Sequence, residues 1–307
     1  MCEKIFKLIS SVKEYNGCDN KIYYRENEPM SGHCTFKIGG CARLFAVPKS
    51  VDALIFILNE AKKLSVRTYV IGNGSNILFS DAGFDGVIIS TEGMNSIRVD
   101  GTVLYAECGA MLSSCGIRAK NESLSGMECL FGIPGTIGGA VFMNAGAYGG
   151  EIRDVVVKTT YLDPATMEIK TIEGDDHKFG YRHSVFKENG GIILSAELHL
   201  REGSLEEITA AMDDYKKRRV DKQPLEYPSA GSTFKRYPGR YTGQMIDECG
   251  LKGCSVGGAQ VSEKHAGFVI NKNCATSKDV RELIDHIKNV IRDAYGIDIE
   301  TEIIYVE

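Results

Sequence analysis

Apolar residues in this chain recur at two periods. Behind Ser50, residues Val51, Leu54, Ile55 and Leu58 fall at i, i+3, i+4 and i+7, which predicts a helix capped by that serine. A long helix is predicted from Val280, Leu283, Ile284, Ile287 and Ile291, with Ser277 as its cap. Another carries Leu205, Ile208, Met212 and Tyr215 and opens on Ser204 and Glu207, a capping box. Residues 1–30 read as an N-terminal helix and a polar lead-in. Strand-like runs fall at 35–38, 44–47, Thr68–Ile71, Ile77–Phe79 and 87–90, making the opening a βαββ-like α/β unit. Two strands and a short helix follow within 97–125. Residues 155–162 and 167–172 flank the turn Asp163-Pro164-Ala165-Thr166 as a hairpin. Further strands are predicted at 192–200, Ala259–Val261, 267–270 and 299–306, and the change of pattern near residue 220 suggests a boundary.

The stretch that departs from both periods is 126–151, GMECLFGIPGTIGGAVFMNAGAYGGE. Eight of its residues are glycine, and they alternate with apolar residues such as Ile133, Ile137, Val141 and Phe142. A flexible linker would be polar. Glycine instead permits close backbone approach, so the stretch reads either as backbone shaped around a large flat ligand or as a glycine-rich core turn.

Composition narrows the classes. A chain of 307 residues can bury a sizeable core, and the length prior suggests about two domains. With 36 basic and 41 acidic residues, net charge −5 and good mixing, a non-specific nucleic-acid binder is disfavoured. The ten cysteines contain no CxxC pair and fit a reducing cytoplasm. No signal-peptide pattern and no long apolar window is present, so no membrane span is expected. No histidine has a metal-ligand spacing, and no metal is assigned.

Three polar clusters carry candidate chemistry. Gly72-Asn73-Gly74-Ser75-Asn76 follows a strand, and its amides could cradle a pyrophosphate as a nest, although a tight turn explains it equally well. It is not the dinucleotide fingerprint, because Ile77 stands where a third glycine would be. Gly180-Tyr181-Arg182-His183-Ser184 places a guanidinium, suited to a carboxylate or phosphate, in what could also be a surface hairpin. Gly231-Ser232-Thr233-Phe234-Lys235 gives a hydroxyl room to meet a substrate, or is an ST-turn. Near the end, residues 299–306 alternate with period two, with Glu302 between apolar neighbours. That makes Glu302 either an acid–base candidate or an exposed edge residue.

In this order and spacing, HCTFKIGG (33–40), YVIGNGSNIL (69–78), IPGTIGGAVFMNAGAYGGE, FGYRHSVF (179–186), PSAGSTFKR (228–236) and the glutamate of IETEI resemble the UDP-N-acetylenolpyruvoylglucosamine reductases, flavoenzymes of peptidoglycan precursor synthesis. Cys34 stands where members more often have threonine. The short span between the GYR and GSTFK motifs resembles the family's compact form. The resemblance implies an α+β chain with a two-subdomain FAD-binding fold of the vanillyl-alcohol-oxidase/PCMH type. Its divisions would be 1–95 and 96–214 for FAD and 215–307 for substrate.

It also implies NADPH as co-substrate and an enolpyruvyl sugar nucleotide as acceptor, with neither nucleic acid, membrane nor obligate protein partner. The catalytic residues it implies are Arg182 and Glu302, attending the substrate carboxylate and developing enolate, and Ser232 as proton donor. FAD contacts are expected from Ile71, Gly72, Asn73, Gly74, Ser75 and Asn76, and from Pro134, Gly135, Thr136, Gly138, Gly139, Asn144, Ala145 and Gly146. Tyr181, Lys216, Lys217 and Lys235, with Arg218 near them, are the substrate-side candidates. An FAD-linked alcohol or sugar oxidase and a non-catalytic flavin- or nucleotide-binding regulator are the alternatives. The presence of Arg182, Ser232 and Glu302 together counts against both.

Overall fold

The computed structural model describes residues 2–19 and 21–307. The chain divides into two compact units, one of residues 1–25, 44–73 and 86–219, the other of residues 26–43, 74–85 and 220–307.

The first unit is built on a five-stranded antiparallel sheet. Its order is Ile169–Glu173, Val156–Leu162, Ile192–His199, Val103–Glu107, Ile97–Asp100. The hairpin predicted around Asp163 is its edge, closed by Asp163 Oδ1 accepting the Ala165 amide at 2.9 Å. Helix Val51–Lys63 begins where expected, the Ser50 hydroxyl accepting the Ala53 amide. In helix Cys2–Asn16, Ile5, Leu8, Ile9 and Val12 are buried at helical spacing, and Tyr15 stacks on Phe56 with centroids 3.9 Å apart. Strand Thr68–Ile71 lies parallel to Phe84–Ser90, Ile71 opposite Ser90. The short helix inside the glycine-rich stretch, Ile137–Met143, buries Ile137, Ala140 and Val141 in the same apolar core.

The second unit packs helix Ser277–Tyr295 near a small antiparallel sheet of Ser255–Val256, Ala259–Val261 and Val269–Asn271. The helix buries Val280, Leu283, Ile284, Ile287 and Ile291, the stripe its spacing predicts. Its cap differs from expectation by one residue. The Thr276 hydroxyl accepts the Asp279 amide at 3.0 Å and Asp279 returns the bond to the Thr276 amide, so the capping box is Thr276–Asp279. Ser277 is the first helical residue, and its amide donates to Asp81.

Two strand expectations fail here, each for a packing reason. Residues 35–38 form a turn. Lys37 takes φ 57°, its amide donates to Cys34, and the Thr35 hydroxyl is spent on the Ser229 carbonyl at 2.7 Å. Residues 299–306 do not make one strand. Thr301 bridges antiparallel to Phe234, whereas Ile304–Val306 runs parallel to Ile77–Phe79. The chain changes partner between them, and the period-two alternation breaks at the change.

Among the described residues no helix is long and apolar enough to cross a membrane. The nine cysteines from Cys18 to Cys274 are unpaired, and the side chain of Cys2 lies outside those described.

Candidate active site

In the first unit, strand Thr68–Ile71 ends at Gly72 and Asn73, which meet the glycine-rich stretch. Asn73 Nδ2 donates to the Pro134 carbonyl at 2.7 Å. Gly72 comes so close that a Cβ there would lie 2.3 Å from Thr136 Oγ1, a distance no side chain tolerates. Among the described residues the amides of Gly72, Asn73, Gly74 and Ser75 have no protein acceptor. Successive donors without an acceptor form a cradle suited to a diphosphate.

The neighbouring amides behave differently. Thr136 caps helix Ile137–Met143 by accepting from Gly139 at 3.3 Å. Ile137 donates to Ala110 at 2.8 Å, Gly138 to Cys108 at 2.9 Å and Gly135 to Ile133 at 2.9 Å. Gly135, Gly138 and Gly139 therefore have their N–H groups satisfied within the protein and can offer a ligand only backbone surface. At Gly138 a Cβ would lie 3.0 Å from Cys108 Cβ, so its lack of a side chain serves close packing as well.

Helix Ile137–Met143 ends on Asn144, which takes the left-handed conformation at φ 45° and is fully buried. Its Nδ2 donates to Glu151 Oε2 at 2.9 Å and to the Gly180 carbonyl at 2.8 Å, and its Oδ1 accepts the Arg153 amide. The side chain thereby ties the glycine-rich stretch to the GYRHS motif. That motif is a two-residue hairpin, with Gly180 and His183 exchanging both backbone bonds around Tyr181 and Arg182. Arg182 sits at φ 53°, and its guanidinium donates to the Gly146 carbonyl at 3.1 Å and, more weakly, to Asn144 at 3.5 Å.

Ser184, also buried, donates to the Phe142 carbonyl at 2.7 Å. Behind the hairpin, His177 is buried and stacked on Phe179. Its Nδ1 lies 2.9 Å from the Gly174 carbonyl and its Nε2 2.8 Å from the Thr159 hydroxyl. A carbonyl can only accept, so Nδ1 carries the proton and Nε2 accepts. Burial pushes the His177 pKa down, which keeps that neutral form. The Val185 amide then closes the loop onto the His177 carbonyl.

The substrate-side candidates on helix Leu205–Lys222 are spread around it. Lys216 and Lys217 are exposed, Arg218 pairs with Asp214 at 2.6 Å, and Tyr215 stacks on Tyr148 with centroids 5.2 Å apart. Tyr181 is exposed, with the Arg182 guanidinium 5.1 Å from its ring centroid.

In the second unit, the Ser232 segment and the Glu302 segment pair edge to edge. Phe234 bridges Thr301, the Glu302 amide donates to the Thr233 carbonyl at 2.8 Å, and the Lys235 amide donates to Glu300 at 2.9 Å. Thr233 is buried; its amide donates to Gly267 at 2.8 Å and its hydroxyl accepts the Val269 amide at 2.9 Å. Ser232, beside it, is exposed. Gly267 is itself held by His265, whose Nδ1 accepts the Gly267 amide at 3.1 Å, placing the ring proton on Nε2. Asn76, expected at a cofactor, is bound to the other side of the same ladder. Its Nδ2 donates to the Glu302 carbonyl at 3.1 Å and its carbonyl accepts the Ile304 amide. Lys235 is ion-paired with Glu300 at 2.7 Å, which holds the Glu300 carboxyl below its usual range.

Sequence reasoning had no role for His177, His265, Glu151 or Thr233. Glu151 and Thr233 lie inside stretches it did single out, but nothing in their spacing names a partner.

Known proteins resemble this chain over most of its length. Residues 223–306 match the family model described as UDP-N-acetylenolpyruvoylglucosamine reductase, C-terminal domain, and residues 42–173 match the model described as FAD binding domain. The chain is 45% identical over 285 residues to the UDP-N-acetylenolpyruvoylglucosamine reductase of Caldanaerobacter subterraneus subsp. tengcongensis, covering 93% of each. It is 45% identical over 280 residues to that of Clostridioides difficile, covering 90% of this chain and 91% of the relative. The crystal structure of the Thermus caldophilus reductase superposes with a TM-score of 0.79 at 30% identity, over 93% of this chain and 99% of that one. The FAD-binding fold with an appended C-terminal domain, expected from the motifs, is therefore the fold of this chain.

Proposed function

The chain belongs to the UDP-N-acetylenolpyruvoylglucosamine reductase family, and from that premise we propose that it reduces the enolpyruvyl group of UDP-N-acetylenolpyruvoylglucosamine to the lactyl ether of UDP-N-acetylmuramate, with NADPH as reductant and FAD as carrier. FAD, when bound, would supply the two-electron hydride chemistry between NADPH and the enolpyruvyl methylene. The rest of the work belongs to side chains.

Hydride addition to that carbon drives electron density onto the adjacent carbon and its carboxylate. Arg182 is assigned to the carboxylate, because a fixed guanidinium stabilises charge as it develops, an effect worth about 3–4 kcal/mol for a single donor in comparable sites. Glu302 attends the enolate, and Ser232 gives the proton to the carbon beside the carboxylate. A serine hydroxyl is a weak acid, and it transfers a proton only to a carbanion-like base held at hydrogen-bond distance. The observation that carries these roles is the Glu302–Thr233 backbone bond, which keeps Ser232 and Glu302 on adjoining paired strands.

The pyrophosphate of FAD fits the open amides from Gly72 to Ser75, with Ile71, Pro134 and Thr136 backing them. Ala145 and Gly146 offer further backbone surface, while Asn144 and Asn76 act by fixing the two loops. Tyr181, Lys216 and Lys217 are assigned to the sugar nucleotide. Lys235 would join them by exchanging Glu300 for a phosphate. NADPH and the sugar nucleotide are the partners this scheme needs, and the cytoplasm is where both are found.

Anaerobic stopped-flow tests the scheme in order. NADPH should bleach the flavin band near 450 nm, and the enolpyruvyl sugar nucleotide should then restore it. A preparation that binds no FAD, or whose reduced flavin is not reoxidised by the sugar nucleotide, contradicts it.

A further inference from the structure

We propose that Thr233 and His265 are positioning residues for the proton that Ser232 delivers; the proposal rests on the donor role given to Ser232 above and names what aims it. Ser232 has no bond of its own to fix it. Among the described residues its amide, carbonyl and hydroxyl make no hydrogen bond. Gly231 before it takes φ 76°, with open space where a side chain would be. The anchored residue beside it is Thr233.

Thr233 is buried and bound through all three of its polar groups. Its carbonyl accepts the Glu302 amide at 2.8 Å, while its amide donates to the Gly267 carbonyl at 2.8 Å and its hydroxyl accepts the Val269 amide at 2.9 Å. The residue is thus clamped between two segments. Past Phe234 the chain is held again, the Lys235 amide donating to Glu300 at 2.9 Å and its carbonyl accepting the Thr242 hydroxyl at 2.6 Å.

The Gly267 end of the clamp is set by His265, whose Nδ1 accepts the Gly267 amide at 3.1 Å. The ring is confined on several sides. A Cβ at Gly267 would lie 3.0 Å from its Cε1 and one at Gly243 3.5 Å away, and Phe268 meets it at a steep angle with centroids 4.8 Å apart. The backbone of His265 is fixed as well, its amide donating to the Ser262 hydroxyl at 3.2 Å and its carbonyl accepting the Phe268 amide at 3.0 Å. Burial pushes the imidazole pKa down, so the ring stays neutral and Nδ1 keeps its lone pair. Two bonds therefore run from His265 through Gly267 to Thr233, and Ser232 is the next residue. Protonating carbon requires the hydroxyl at hydrogen-bond distance, and a misplacement of about 1 Å can cost on the order of 10²-fold. A hydroxyl without bonds of its own takes its aim from the peptide that carries it.

Anaerobic stopped-flow on the FAD-loaded full chain tests this, with flavin reduction by NADPH and reoxidation by the enolpyruvyl sugar nucleotide read separately. Thr233→Val removes the hydroxyl and His265→Leu removes the ring acceptor. Each should slow reoxidation about tenfold or more and leave flavin reduction, FAD content and circular dichroism at parent values. Thr233→Ser and His265→Asn should restore most of the rate. Each puts an acceptor back, since an asparagine oxygen reaches the amide two residues on. Combined with Ser232→Ala, Thr233→Val and His265→Leu should each add less than about twofold, because they act through a hydroxyl already removed. Full slowing on that background, parent rates in both single variants, or no recovery in either conservative variant overturns the proposal. If Thr233→Val does not fold, His265→Leu at its half-buried position decides the question; loss of FAD in both assigns the pair to the fold and also overturns it. Ser232→Ala reoxidising at the parent rate is a distinct outcome, which rejects the donor role itself.

Discussion

The amide of Glu302 donates to the carbonyl of Thr233 at 2.8 Å, and this bond joins segments nearly seventy residues apart in the chain. It places Ser232 and Glu302 by main-chain pairing, so their relative position survives loss of either side chain. Ser232→Ala should therefore fold normally and leave flavin reduction by NADPH unchanged. The second half-reaction should slow by about 10²–10⁴-fold, the range for losing a positioned acid. Anaerobic stopped-flow reads both steps, and equal slowing of the two would reject the proton-donor role.

Gly72 and Thr136 form a contact with no spare volume, a Cβ at Gly72 falling 2.3 Å from the threonine hydroxyl. Gly72→Ala should cost about 1–3 kcal/mol of stability by overpacking and lower FAD retention. Thr136→Ala should cost about 1 kcal/mol through the lost helix cap. The double variant should lose less than the sum, because removing the hydroxyl relieves the clash. Urea unfolding of the four proteins gives the comparison, and strict additivity would disprove direct contact.

At Asn144, the donor end of the amide faces Glu151 and the Gly180 carbonyl, two acceptors. Asn144→Gly keeps the left-handed backbone and should lose about 1–2 kcal/mol with the three side-chain bonds. Asn144→Asp should lose about 3 kcal/mol or more at neutral pH, since it sets a buried carboxylate against both acceptors. Lowering the pH should narrow the gap between the two variants as the new aspartate takes up a proton. Both should also depress turnover, because Arg182 is anchored to this segment. Thermal melts across pH 5–8 measure the order, and Asp equal to Gly throughout would contradict it.

His177 and His265 give the protein an acid-sensitive limb. Burial lowers both pKa values from the ordinary 6.5. In the window between the lowered folded values and about 6.5 the unfolded chain binds more protons, so stability rises with pH there and falls as pH drops through it. The urea midpoint should decline on going from pH 7 toward 5, and the double variant His177→Gln/His265→Gln should flatten that slope. The carboxylates Asp279 and Glu60, held low by hydrogen bonds, give the same sign only below their ordinary values of 3.8 and 4.5. A double variant whose slope between pH 7 and 5 equals the parent's would remove the histidines from the account.

Much of the local structure was legible. The stripe Val280, Leu283, Ile284, Ile287, Ile291 and the Ser50 cap appear in the structure as their spacing predicts. Helical and strand periods report which face of an element is buried, and capping residues report where it starts. Shared motif order along the chain was enough to identify the family. Residues 299–306 show where such patterns stop. Their alternation is real, but a single period cannot register that the chain pairs first with Phe234 and then with Ile77–Phe79. The turn at 35–38 is a similar case: Thr35 is drawn to the Ser229 carbonyl, 194 residues away.

By itself, then, the sequence determined most of the elements, the glycine-rich stretch with its close backbone approaches, and the candidates for chemistry. Tertiary structure decided what those residues do to one another. It showed which amides around Gly72 and Gly138 are open and which are taken, that Asn144 ties Arg182's hairpin to the glycine-rich stretch, and that Asn76 and Thr233 hold the Glu302 strand from its two sides. The physical reason is that burial is encoded position by position, while a hydrogen bond needs a partner whose place depends on how the rest of the chain has packed.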